Sequence, residues 1–194
     1  MADLAARLQA VRERIHAAAR AAGRDPGEIT LLAVSKTFPA ESVLEAMLAG
    51  QRAFGENYAQ EALAKMASLD ALLALRGGAT APQWHFTGPL QSNKTRAIAG
   101  NFDWVHGVDR LRIAQRLSEA RDPARGPLQV CIQVNVGGEQ TKGGVSPGEA
   151  QALADALVRL PGLRLRGLMT IPRPSDDRAA QRAQFRVLRD LREQ

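Results

Sequence analysis

A chain of 194 residues with 45% hydrophobic content can bury a core as one domain, and it contains no run of about 18 apolar residues to span a membrane. One cysteine, Cys131, excludes an internal disulfide, and Met1-Ala2-Asp3 opens without the apolar core of a secretory signal, so a reducing, cytoplasmic setting is expected. A net charge of +6 raises nucleic-acid binding, but aromatic residues make up 4% and the basic residues are scattered, so no nucleic-acid surface is expected.

In chain order, Leu4, Leu8, Val11 and Ile15 recur at helical spacing with Asp3 as a cap. Gly23-Arg24-Asp25-Pro26-Gly27 breaks that helix. The run Leu31-Leu32-Ala33-Val34-Ser35-Lys36 lacks alternation, which predicts a strand buried on both faces with Lys36 at its carboxyl end. Pro39 at a first helical position and Gly50 bracket a helix whose apolar face is Val43, Leu44, Met47 and Leu48. A second strand is expected over 51–55, then a helix to about Met66, and the Ala/Leu/Gly-rich segment over 70–82 reads as a helix tail plus a surface loop. Residues 83–88 read as a third strand followed by a helix over about 92–99, and Trp104-Val105-His106 as a fourth, with Asp109 capping the next helix. Residues 128–135 form the fifth strand, and a glycine-rich loop over 137–144 follows. Ser146-Pro147-Gly148-Glu149 is a capping box with proline at the first helical position. A sixth strand over 163–171 and a helix opened by Ser175-Asp176-Asp177 complete the pattern.

One helix followed by six strand–helix units predicts an α/β fold with parallel strands, either a doubly wound sheet or a (β/α)8 TIM-like barrel. No Gly-x-Gly-x-x-Gly follows the first strand, which argues against a dinucleotide-binding sheet. A barrel has eight units in about 250 residues. The six units here, ending in Arg192-Glu193-Gln194 without a helix stop signal, predict a native chain that continues with two more.

Chemistry concentrates at the predicted strand ends. Lys36, Asn57, His85, Asn135, and with less regularity His106 and Thr170, fall at or just beyond them, and a barrel gathers such ends on one rim. A lysine in an apolar setting is pushed towards the neutral amine that attacks carbonyls, by about 3–5 pKa units when fully buried. Its alternative is a stem packed on the strand with the ammonium in water. The others have structural alternatives too: Asn57 as a helix cap, His85 as an imidazole satisfied by backbone, Asn135 as a strand end before a turn. One lysine, two amides and an imidazole suit an aldehyde cofactor better than a hydrolase triad. Three histidines, His16, His85 and His106, with one cysteine give no metal-ligand spacing, and neither a Gly-x-Ser-x-Gly elbow nor a Walker sequence occurs. Gly143-Gly144 before Ser146 offers a helix N-terminus to an anion, although the capping box explains that turn without one.

Read together, Leu31–Thr37, Phe54-Gly55-Glu56-Asn57-Tyr58, the run from Trp84 to Lys94, Gln133-Val134-Asn135-Val136 and Gly167-Leu168-Met169-Thr170-Ile171-Pro172 closely resemble the pyridoxal phosphate homeostasis proteins, the YggS/PROSC family. The resemblance runs from about residue 4 to the end. It implies a single barrel domain over 1–194 like the N-terminal domain of alanine racemase, the third fold type of pyridoxal-phosphate proteins. It implies pyridoxal 5'-phosphate (PLP) held as an aldimine on Lys36, with Asn57, His85, Asn135 and Met169 near the cofactor ring. It implies a protein without a catalytic residue, acting in vitamin B6 balance and delivering the cofactor to PLP-dependent apoenzymes; a monomer is expected. Lys142 matches a family loop position and reads as an exposed loop lysine, with cofactor hand-over as its alternative role. The Ser-Met-Gly-Met and Arg-Ile-Gly-Thr segments that the family uses for the phosphate and the pyridine nitrogen do not occur in these residues. A PLP-dependent racemase-like enzyme is the alternative function. Against it, the sole tyrosine is Tyr58, and an arginine facing the pyridine nitrogen would weaken the electron sink.

Overall fold

Helix α1 covers Leu4–Ala21 and starts where Asp3 Oδ1 accepts the Ala5 N–H at 3.4 Å. A computed structural model describes residues 3–78, 80–139 and 143–194; Lys142 lies outside the described residues. Six strand–helix units follow α1 among them: β1 Ala33–Val34 and α2 Ala40–Leu48, β2 Ala53–Glu56 and α3 Ala59–Ala74, β3 Gln83–Phe86 and α4 Thr95–Asn101. The others are β4 Trp104–Val108 and α5 Leu111–Ala120, β5 Leu128–Gln133 and α6 Ala150–Leu157, β6 Leu163–Met169 and α7 Arg178–Arg192. The chain divides into two units, 1–84 and 85–194, with β3 contributing its first two residues to one and its last two to the other.

In the first unit β1 and β2 run parallel, with Ala33 opposite Phe54 and Val34 opposite Gly55. Gln83 enters beside them, its N–H donating to the Arg52 carbonyl at 2.8 Å. The core is Val43, Leu44 and Met47 of α2, Phe54, and Ala62, Met66, Leu69 and Leu73 of α3. Helix α3 runs on through the expected helix tail to Ala74, because Leu69 and Leu73 continue the buried face at spacings of three and four.

In the second unit β3, β4, β5 and β6 pair in that order, all parallel. Phe86, Ile98, Phe102, Val105, Ile113, Leu117, Leu128, Ile132 and Leu157 form its core. The buried Arg121 guanidinium ties α4 to the α5–β5 connection, donating to the Ala99 carbonyl at 2.7 Å and the Phe102 carbonyl at 2.8 Å. The expected capping box is present: the Ser146 N–H donates to Glu149 Oε2 at 3.0 Å, and a 3₁₀ turn then leads into α6. Asp177 caps α7 by accepting the Ala179 N–H at 2.7 Å.

Two local expectations need correction. The first strand is two residues long rather than six, and Val34 is 48% exposed. The Phe38 N–H donates back to the Ser35 carbonyl at 3.1 Å, so the chain turns before the ladder reaches Lys36. Asp109 does not cap α5. Arg110 holds the cap position, and Asp109 pairs instead with the Arg110 guanidinium at 3.0 Å.

Close packing rests on Gly162, just before β6. A Cβ there would lie 2.4 Å from the Ser118 carbonyl oxygen of α5. Gly162→Ala should therefore push α5 and β6 apart and destabilise the fold by about 1–3 kcal/mol, the usual cost of overpacking. A urea midpoint equal to that of the unmodified protein would refute this.

Candidate functional site

In the first unit the functional geometry starts from a turn. Ser35, Lys36, Thr37 and Phe38 close it through the Ser35 carbonyl, and Thr37 occupies φ +67°. It is the sole described non-glycine residue with positive φ. A β-branched residue in that region costs on the order of 1–3 kcal/mol unless its surroundings over-determine it.

The surroundings do so. Buried Lys65 of α3 spends all three ammonium protons: on the Ser35 carbonyl at 2.6 Å, Glu56 Oε1 at 2.6 Å and Glu61 Oε1 at 3.2 Å. Glu56 Oε1 also accepts the Ser35 hydroxyl at 2.7 Å, and Glu61 Oε1 accepts the Thr37 N–H at 2.7 Å. Glu61 is held below its ordinary 4.5 by the Thr37 N–H first and by Lys65, against an opposing desolvation. It therefore adds stability above that pH, and the contribution is lost as pH falls through its lowered value.

Lys36 sits on this turn with an exposed side chain. Among the described residues its ammonium has no ion-pair or hydrogen-bond partner. The expected dry setting is thus absent: the strand end is open, and Lys65 is the buried lysine. Lys36 and Asn57 each lie two residues beyond the paired Val34 and Gly55. Asn57 is half-buried and is not the cap of α3, a position Tyr58 takes without a side-chain hydrogen bond.

The second unit carries a ring cluster. His85 is buried, and its Nδ1 lies 2.8 Å from His106 Nε2, so one imidazole donates and the other accepts. This side-chain bond was not foreseen in the backbone-satisfied reading of His85. The Trp104 ring stacks on His85 at 5.4 Å and 13°, and the Arg166 guanidinium lies 5.7 Å from the Trp104 centroid. Period-two spacing along β4, which puts Trp104 and His106 on one face, was the available signal for Trp104. No local pattern marked Arg166. Burial first, then His106, lowers His85 from 6.5 to about 4, and burial also lowers His106, so the pair is neutral at pH 7. Buried Cys131 is raised to about 11 by desolvation, opposed by Arg166, which makes it a poor nucleophile.

Asn135 and Met169 close the ends of β5 and β6. The Asn135 amide bonds its own loop, with Nδ2 donating to the Glu139 carbonyl at 2.8 Å and Oδ1 accepting the Glu139 N–H at 3.3 Å. Met169 is half-buried opposite Gln133, and its carbonyl accepts the Val134 N–H at 2.8 Å. Thr170 donates its hydroxyl to the Val134 carbonyl at 2.8 Å. No group of His, Cys, Asp and Glu suited to a metal occurs among the described residues, and no described helix is long and apolar enough to cross a membrane.

Residues 6–194 match the alanine racemase N-terminal domain family, so the fold class is the TIM-like α/β barrel of that domain. The pyridoxal phosphate homeostasis protein of Pseudomonas aeruginosa is 58% identical over 191 residues, 98% of this chain and 80% of that protein. Among solved structures, a protein described as unknown from Bifidobacterium adolescentis has a TM-score of 0.88 at 34% identity, covering 100% of this chain and 81% of that one. PipY of Synechococcus elongatus, described with PLP bound, has a TM-score of 0.76 at 35% identity, covering 92% of this chain and 80% of that one. The chain belongs to the family of pyridoxal phosphate homeostasis proteins.

Acid should loosen the second unit through His85. Neutral when folded and protonated when unfolded, it contributes stability that is fully present above pH 6.5 and lost as pH falls to about 4. The loss is on the order of 3 kcal/mol at about 1.4 per unit. Thermal unfolding of the protein alone across this range should show the slope, and His85→Gln should flatten it. A slope unchanged in that variant would assign the acid sensitivity elsewhere.

Proposed function

We propose that this protein binds pyridoxal 5'-phosphate through Lys36 and serves intracellular vitamin B6 homeostasis without turnover of its own. The observation that carries this reading is the exposed, unpartnered amine of Lys36 on a turn fixed from below, while Lys65 next to it is fully engaged. An aldehyde needs such an amine: its nitrogen bonds the aldehyde carbon, and the carbonyl oxygen leaves as water. Membership in the family and the relative described with PLP bound support the same cofactor. By the resemblance, Asn57, His85, Asn135 and Met169 are its further binding residues. On this reading the protein is a cytoplasmic monomer that supplies PLP to apoenzymes.

Titration with PLP, followed by the absorption of the imine, tests this directly. Borohydride reduction and peptide mass analysis should place the label on Lys36, and Lys36→Ala should lose affinity by at least roughly a hundredfold, about 2.7 kcal/mol. A band of equal strength in that variant, or a label on another lysine, would overturn the assignment. Steady racemisation of an amino acid by the PLP-loaded protein would replace the carrier reading with the enzyme one.

A further inference from the structure

The geometry points to Glu61 and the buried Lys65–Glu56 pair as positioning residues for Lys36, holding the turn that presents its amine; the inference rests on the Lys36 reading above. Three polar groups of the turn are met by this cluster. The Ser35 carbonyl meets Lys65, the Ser35 hydroxyl meets Glu56, and the Thr37 N–H meets Glu61. Lys36 is the residue between them that the cluster leaves alone.

Two physical consequences follow. First, Thr37 is kept at φ +67° by a charge-assisted hydrogen bond from its N–H to Glu61 at 2.7 Å. Without that acceptor, a threonine relaxes towards negative φ, where its β-branched side chain is unstrained. That relaxation swings the Cα–Cβ bond of the preceding residue and spoils the approach of its amine to a fixed carbonyl, a geometry in which small displacements are costly. Second, the cluster occupies the competing amine. Lys65 Nζ makes three hydrogen bonds to oxygens and has no proton left for another acceptor, so Lys36 is the lysine of this turn free to react.

Glu61 is the position to test, because it is partly exposed and its loss leaves the buried Lys65–Glu56 contact in place. Glu61→Ala should weaken PLP binding by roughly tenfold, as expected for loss of a hydrogen bond to a charged acceptor. Adding Thr37→Gly should restore affinity to within about threefold of the unmodified protein, since glycine adopts positive φ without support. Thr37→Gly alone should bind normally. Gly162→Ala, which lowers stability within the second unit and touches none of the turn's hydrogen bonds, should leave affinity unchanged and so separates positioning from general loosening. Affinity in Glu61→Ala equal to that of the unmodified protein, or a double variant as weak as Glu61→Ala, would overturn the inference while leaving Lys36 as the anchor. An unmodified protein that forms no imine would overturn both.

Discussion

A single buried ammonium organises the first unit. Lys65 Nζ lies within 2.6 Å of both the Ser35 carbonyl and Glu56 Oε1, and the lysine and glutamate side chains are 4% and 0% exposed. Taking two charges out of water costs several kcal/mol per ion, and their attraction repays this only with good geometry and satisfied hydrogen bonds. Here Glu56 Oε1 also accepts the Ser35 hydroxyl, and the third ammonium proton goes to Glu61. Such a pair adds little net stability over a hydrophobic isostere, but removing one member costs about 3–5 kcal/mol. What it specifies is direction. It joins the end of β1, the end of β2 and the first turns of α3, and it forces the chain to turn at Lys36.

In the second unit the buried histidine pair carries no formal charge. His85 and His106 share one hydrogen bond and are both held neutral by burial, and Trp104 and Arg166 stack beside them. Neutral imidazoles offer a flat, polarisable surface whose protonation state does not change near pH 7. Such imidazoles are poor general acid–base groups, which work best with a pKa near the operating pH. The same restraint holds at Cys131, whose thiol is raised away from reactivity.

Much of this was legible in local pattern. Helix faces, the Asp3 and Asp177 caps, the capping box at Ser146 and the alternation of strand and helix all depend on residues within about four positions of each other. The boundaries that failed were those decided at longer range. A six-residue apolar run at 31–36 becomes a two-residue strand because Ser35 is drawn into a turn by groups on α3. The Asp109 expectation misses by a single residue: α5 starts at Leu111 with Arg110 at the cap, and Asp109 pairs with that neighbour.

By itself the sequence determined the order of elements, the α/β class and the family, since short motifs and hydrophobic periodicity carry that information without distant contacts. Only the tertiary structure decided which lysine is buried and which is free. Lys65 sits 30 residues from Ser35 and 9 from Glu56, and burial with pairing is a property of what the fold brings to that ammonium. From composition both are lysines with an ordinary preference for water. The fold encloses Lys65 among oxygens and leaves Lys36 on a strained turn with its amine unengaged.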